Sequence, residues 1–203
     1  MDNFTAVLLA AGLSRRMGEE NKLLMPVDGD PMVRKTVTAY VSVIGRVVVV
    51  TGHQAPEVRA VLEGLDVEFV HNAEFASGQA SSVATGLRSA LGAEHVLVGL
   101  GDQPMLAAKD INALVAAHLA TGGSKISVPH NGKSRGNPIA IPGALVGKML
   151  EDEQNPGCGK FTRERPDLVS LIHLPGGAYF QDVDTTADYA ALAIRRPATE
   201  GVS

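Results

Sequence analysis

The sequence is short of the residues that would open several classes of function. Of its 203 residues one is cysteine, none is tryptophan and 4% are aromatic. A lone Cys158 cannot close an internal disulfide, so a reducing, cytoplasmic setting is expected. No run approaches the ~20 apolar residues that span a bilayer. The early "AVLLAA" is short, has Asp2 ahead of it and basic residues after it, the reverse of a signal peptide. The net charge of −4 excludes a general affinity for nucleic acid or an anionic membrane surface, so any anion site has to be a local concentration of positive charge. Neither GxGxxG nor GxxxxGK[ST] occurs, which removes the dinucleotide fingerprint and the P-loop. Internal repeats, low-complexity tracts and linkers are also missing.

What is present is an ordinary globular composition, 45% hydrophobic and 20% charged, in a chain long enough for one sizeable core. Continuous β-branched runs at Phe4–Leu9, Arg46–Thr51, Val67–His71 and His95–Leu100 predict strands covered on both faces, as in a parallel sheet. Helical patterns fall between them at Met32–Val41 behind Pro31, at Glu57–Glu63 behind Pro56, and at Ser81–Leu91. The clearest is Ala107–Ala120, closed by Gly122 and Gly123. Further on, "KISVP" and "NPIAIP" read as strands around the polar loop His130–Gly136. A helix over Ala144–Asp152, strands "LVSLIHL" and "AYFQDVD", and a helix from Thr186 follow. Thr185 and Asp188 are placed to cap that last helix. This alternation predicts an α/β fold, a three-layer α/β/α sandwich with a mostly parallel sheet and right-handed crossovers.

Ligands of open parallel sheets sit beyond the carboxyl ends of the strands, so the loops after the strands carry the functional question. The first holds a small-residue corner, Ala10, Ala11 and Gly12, where a backbone can approach a flat ligand closely. Ser14, Arg15, Arg16 and Lys22 follow, and backbone N–H groups with Arg and Lys make a cradle for polyphosphate. The loop after the fourth strand reads "GLGDQP" and projects Asp102, an oxygen donor of the kind Mg²⁺ prefers. In "QDVDTTADY", Asp182 and Asp184 share a face if the segment is extended. Each signal alone is also met by solvated turns and helix caps.

Together, "LLAAGLSRRMGEENKLL", "GDQP" and "DVDTTADY" resemble the nucleotidyltransferases that act on molybdopterin, and more specifically the molybdenum cofactor cytidylyltransferases. The resemblance covers most of the chain. It implies a Rossmann-like nucleotidyltransferase fold over residues 1–203, with a nucleotide-binding half at 1–105, an acceptor half at 106–195 and a flexible tail at 196–203. It further implies CTP as donor, with Ala10, Ala11, Gly12, Ser14 and Gly101 against the nucleotide and Arg16 and Lys22 on its phosphates. Arg15 falls on a variable position of the motif. "GQASSVATGL" is similar to the base-contacting segment, making Ser82 the cytosine contact and Ser81 its alternative. Asp102 and Asp184 would hold Mg²⁺, with Asp182 in reserve, and Arg16, Lys22 and Asp102 would carry catalysis. "RGNP", Arg135, Gly136, Asn137 and Pro138, resembles the acceptor-contacting loop, and Lys133 adds charge beside it.

Molybdopterin would be the acceptor substrate, and a molybdoenzyme of the xanthine dehydrogenase type would receive the product. The related guanylyltransferases carry LAGG where this chain has LAAG, so Ala11 occupies the place that discriminates bases. Guanylyl transfer to the same cofactor, cytidylyl transfer to a polyol phosphate, and a non-catalytic nucleotide sensor or cofactor-delivery chaperone are the alternatives. The segment "NPGCGKFTRERPD" departs from the GDxGAR-like sequence of the best-matched cytidylyltransferases and leaves the acceptor the more open question. Cys158 lies inside it and reads most simply as inert. His53, His71, His95, His130 and His173 lack metal-ligand spacing.

Overall fold

The computed structural model describes residues 3–18, 20–151 and 158–194. The expected tail at 196–203, and Asn155, Pro156 and Gly157 of the divergent segment, lie outside the described residues. In chain order the elements are β1 (Phe4–Ala10), β2 (Pro26–Val27), β3 (Asp30–Pro31), α1 (Met32–Val41), β4 (Arg46–Thr51), α2 (Ala55–Val61), β5 (Glu68–His71) and α3 (Gln79–Ser89). They continue with β6 (His95–Leu100), α4 (Ala108–Ala120), β7 (Ile126–His130), β8 (Ile139–Pro142), α5 (Gly143–Leu150), α6 (Cys158–Glu164), β9 (Val169–His173) and α7 (Thr186–Ile194).

Seven strands form one sheet in the order β5-β4-β1-β6-β8-β7-β9. β1 pairs in parallel with β4 and β6, and β5 and β9 continue parallel on β4 and β7. β8 runs antiparallel to both of its neighbours, so the sheet is mostly parallel, as the sequence predicts. All seven residues of β1 are buried, because its even-numbered side chains face one helical layer and its odd-numbered ones the other. Phe4, Ala6, Leu8 and Ala10 pack with Val33, Val37 and Tyr40 of α1, Val58 of α2, and Ile111 and Leu114 of α4. Val7, Leu9 and Ala11 pack with Val83 and Leu87 of α3 and with Leu145, Val146 and Met149 of α5. Truncating a buried leucine such as Leu8 to alanine costs about 2–5 kcal/mol in a core of this kind.

One expectation is corrected. "AYFQDVD" is not a strand: Ala178–Phe180 is a 3-10 turn and Gln181–Asp184 is irregular. The cause is tertiary. The Tyr179 ring is buried with its hydroxyl donating to the Asp110 carbonyl, 2.7 Å away. The Tyr179 carbonyl in turn accepts from Asn137 N at 2.8 Å and Gln103 Nε2 at 3.2 Å. Those bonds fix the segment across the strand ends instead of along an edge. The divergent segment, meanwhile, yields helix α6, whose Thr162 is buried. Among the described residues no helix is long and apolar enough to cross a membrane.

Candidate active site

The first loop leaves β1 at Ala10 and is pinned at both ends. Met17 and Leu23 are buried. The buried Asn21 side chain accepts from Leu23 N at 3.1 Å and from Ser14 Oγ at 3.3 Å, and Ser14 Oγ accepts from Lys22 N at 3.2 Å. Ser14 itself adopts the left-handed conformation, with φ of 50°, which turns the chain back so that Arg15, Arg16 and Lys22 face one cavity. Gly12 needs glycine for neither φ nor packing: a Cβ there would meet nothing within 4 Å. The open space in front of it is the cavity itself, about 370 Å³ in volume. That volume falls in the range of small-ligand sites.

Two groups of side chains line this cavity. The first is a flat, largely apolar seat. Gly52, which follows β4, separates the Ala11 methyl from the Phe75 ring so closely that a Cβ on it would lie 2.5 Å from Phe75 Cβ and 2.8 Å from Ala11 Cβ. Ser82 of α3 joins this wall, its hydroxyl held by the buried Asn72 amide at 2.9 Å. The second group is ionic. Lys22 Nζ lies 2.5 Å from Asp102 Oδ2 and 2.9 Å from Asp184 Oδ1, and Arg16 reaches Asp184 Oδ2 at 2.8 Å. Asp182 lines the same cavity. Val183 N donates to the Asp102 carbonyl at 3.0 Å, the bond that brings the two acidic motifs of the sequence together. Asp184 is fixed on its other side by the cap of α7, where Thr185 N donates to Asp188 Oδ2 and Asp188 N to Thr185 Oγ1.

The charges shape one another. Burial pulls the Lys22 ammonium down, but Asp102 and Asp184 outweigh it and hold its pKa above the ordinary value. Burial raises the Asp102 carboxyl, against the pull of Lys22. For Asp184, burial is outweighed by Lys22 and Arg16, which hold the carboxyl below the usual range. The donors suit a hard cation, since Asp102 and Asp184 offer only oxygen and already bracket one positive charge. Asp102 Oδ1 is buried without a hydrogen-bond partner, an uncompensated anionic atom of the kind a cation satisfies. Among the described residues no group of three or more His, Cys, Asp or Glu side chains is arranged to hold a metal, so phosphate or water oxygens would have to complete the shell.

The expected residues divide by position. Ala11, Gly12, Ser14, Arg16, Lys22, Ser82, Asp102, Asp182 and Asp184 all line the cavity, as does Arg15. Ala10 closes β1 inside the core, and Gly101 lies behind the wall, donating to the Leu9 carbonyl at 2.9 Å. The Ser81 hydroxyl donates to the Glu74 and Gly78 carbonyls. Arg135, Gly136, Asn137 and Pro138 do not line the cavity. Arg135 is tied weakly to Thr162 at 3.4 Å, and a Cβ on Gly136 would strike the Tyr179 carbonyl at 2.7 Å. Burial pushes the Cys158 thiol up to about 12. Sequence reasoning missed Phe75, Asn21, Asn72 and Gln103. "NKLL" and "GDQP" contain two of these, and the unsatisfied polar groups of a loop between two anchors are the signal that could have found them.

The mostly parallel sheet thus brings a basic loop after its first strand and carboxylates after later strands to one cavity. The chain belongs to the family of MobA-like NTP transferase domains, whose family model matches residues 6–169, and it is a nucleotidyltransferase of that type. It is 32% identical over 188 residues to nicotine blue oxidoreductase from Paenarthrobacter nicotinovorans, covering 89% of this chain and 92% of the relative. Against the bifunctional protein GlmU of Geobacter sulfurreducens it is 36% identical over 126 residues and spans 26% of the relative's length. Among solved structures it is similar to a nucleotidyl transferase from Methanothermobacter, with a TM-score of 0.78 and 25% identity over 93% of this chain and 95% of the other. It is equally similar to Rv0371c from Mycobacterium tuberculosis, with a TM-score of 0.78 and 26% identity over 95% and 99%. A manganese complex of that mycobacterial protein is also known.

Proposed function

We propose that the protein transfers CMP from CTP to the terminal phosphate of molybdopterin, giving the cytosine dinucleotide cofactor and pyrophosphate. An oxygen of the terminal phosphate attacks the α-phosphorus of CTP, and the bond from that phosphorus to the bridging oxygen of the β-phosphate breaks as pyrophosphate leaves. The nucleophile has a second pKa of about 6 and is largely ionised near neutrality, so the reaction needs no general base. The barrier lies in bringing anion to anion, and a site for it supplies positive charge and alignment. The observation that carries this reading is the convergence of Lys22 and Arg16 on Asp102 and Asp184 at a cavity that also exposes the Ala11–Gly12 corner.

In this reading Phe75 and Ala11 flank the base, Ser82 offers it a hydroxyl, and Ser14, Arg16 and Lys22 face the triphosphate. Asp102 and Asp184 hold Mg²⁺, with Asp182 beside them; the manganese complex of Rv0371c is a precedent for a divalent ion on this fold. The ion would neutralise phosphate charge between the carboxylates and the nucleotide. Ala11 in place of the glycine of guanylyltransferases narrows the seat towards a pyrimidine, a methyl-sized preference of about 1–3 kcal/mol. Arg135 to Pro138 receive the acceptor, and a molybdoenzyme of the xanthine dehydrogenase type takes the product.

The test is pyrophosphate release with CTP, GTP or UTP crossed with molybdopterin, a polyol phosphate or a sugar 1-phosphate. Release with CTP and molybdopterin is expected. Preference for GTP would reassign the base, release with another phosphate would reassign the acceptor, and no release from any pair would leave a sensor or chaperone. A second reading follows from the 32% identity to an oxidoreductase over nearly its full length. Redox turnover of a dye substrate, without pyrophosphate release, would favour it.

A further inference from the structure

The ionic group has a property that the reaction alone does not require. Its two principal carboxylates are already occupied by the protein's own cations. Lys22 Nζ spans Asp102 Oδ2 and Asp184 Oδ1, and Arg16 takes Asp184 Oδ2. Three of the four oxygens are thus engaged, and the fourth, Asp102 Oδ1, is buried and unpartnered. A divalent ion approaching this pair meets lysine and arginine before it meets free carboxylate.

We infer that Lys22 and Arg16 are resident counter-cations of the metal site, and that a nucleoside triphosphate opens the site by drawing both side chains onto its phosphates. This rests on the reading of Asp102 and Asp184 as metal holders. Three features support it. Lys22 and Arg16 line the same cavity as the Gly12 corner, so phosphate placed there lies within reach of side chains with long, flexible stems. The Arg16 side chain is 66% exposed, so its pairing with Asp184 is screened and weak, and exchanging it for phosphate costs little. Finally, the protein offers two well-placed carboxylates and, among the described residues, no cluster of three metal-binding side chains. Mg²⁺ held by one or two carboxylates keeps water and takes its other oxygens from substrate phosphate. The same triphosphate therefore removes the competing cations and supplies the missing ligands, which makes nucleotide and metal binding mutually dependent.

The exchange also keeps the resting cavity balanced. Asp102, Asp182 and Asp184 face one space, where like charges repel. Lys22 and Arg16 pair with Asp102 and Asp184, and Arg15 lines the same space, until the nucleotide brings its own cation with it. Binding a metal first would require Lys22 to leave a carboxylate at 2.5 Å with no anion to receive it.

Mn²⁺ binding, followed by the electron paramagnetic resonance signal of the free ion, tests this without turnover. Wild-type protein, Lys22→Met, Arg16→Met and Arg15→Met are titrated alone and with CTP in the absence of acceptor, after circular dichroism has established their folds. Without nucleotide, Lys22→Met should bind Mn²⁺ about 10-fold more tightly than wild type and Arg16→Met about 3-fold, a coupling of ordinary allosteric size. Arg15→Met removes the same charge from the same cavity and should change affinity less than either. CTP should tighten Mn²⁺ binding to wild type about 10-fold, and Mn²⁺ should tighten CTP equally, because linkage is reciprocal. Equal Mn²⁺ affinity in all four nucleotide-free proteins would overturn the inference while leaving the metal reading intact, provided Mn²⁺ binds with CTP. No Mn²⁺ binding by any form, with CTP or without, would remove both. Arg16→Met changes a mostly exposed side chain, so it decides the matter if Lys22→Met fails to fold.

Discussion

Lys22 is the residue on which most of the site converges. It is one of three cations of the first loop, yet only its side chain touches both Asp102 and Asp184. Arg16 meets Asp184 alone. Lys22→Ala and Asp102→Ala should each lower pyrophosphate release by at least ~10²-fold, the size of losing one preorganised transition-state contact. Near-wild-type rates at saturating nucleotide and Mg²⁺ would take that residue out of the mechanism. Gly52, packed against the lining residues Ala11 and Phe75, is a second sensitive position. Its hydrogen stands where a methyl would press on both Ala11 and Phe75. Gly52→Ala should raise the KM for nucleotide about 10-fold with a smaller change in kcat, the pattern of a ground-state binding defect. A variant with unchanged KM would show that Phe75 and Ala11 do not seat the base.

At the scale of elements, the long helices and central strands were legible because their apolar residues recur at the spacing their environment demands. β1, β4 and β6 are continuous apolar runs between two helical layers, and α4 begins and ends at its predicted caps within a residue or two. The segment Ala178–Asp184 was not legible. Its alternation suits a strand, but its geometry is set by Asp110, Gln103 and Asn137, which are distant in sequence. Phe75 was hidden for the same reason: nothing local says that its ring closes over Gly52.

Two helical glycines separate propensity from packing. A methyl on Gly147 in α5 would meet nothing within 4 Å, whereas one on Gly86 in α3 would lie 2.2 Å from Val7 Cγ1 and 3.0 Å from Val50 Cγ2. Replacement by alanine favours a helix by about 1 kcal/mol, so Gly147→Ala should stabilise by up to that amount. Gly86→Ala should destabilise by about 1–3 kcal/mol through overpacking. Urea denaturation checks both, and equal effects of the two would mean that α3 does not rest closely on β1.

At the scale of the whole molecule, stability depends on a buried polar relay beneath the sheet's amino end. His118 of α4 is fully buried, with Nδ1 2.8 Å from Ser127 Oγ and Nε2 3.1 Å from His95 Nδ1, and His95 stacks on Phe4. Burial and the neighbouring His95 lower the His118 pKa to about 4. An unfolded histidine titrates near 6.5, so between those values the unfolded chain binds the extra proton. Stability is therefore complete above about pH 6.5 and falls as the pH drops towards 4, by about 2 kcal/mol between pH 7 and pH 5 at ~1.4 kcal/mol per unit. Urea titrations at the two pH values measure it. Identical midpoints and slopes at both would contradict the burial of a neutral His118.

The ion pairs of the cavity join Lys22 to Asp102 across 80 residues and to Asp184 across 162. Such contacts are among the last a chain can make, because the loop closed by the longer of them contains nearly every strand of the sheet. During translation the nucleotide corner and its lysine emerge early, while the carboxylate at 184 follows only after the last strand. A growing polypeptide can therefore complete its sheet centre before Asp184 is available to pair with Lys22 and Arg16, and the ionic group closes only once the start of α7 has been made.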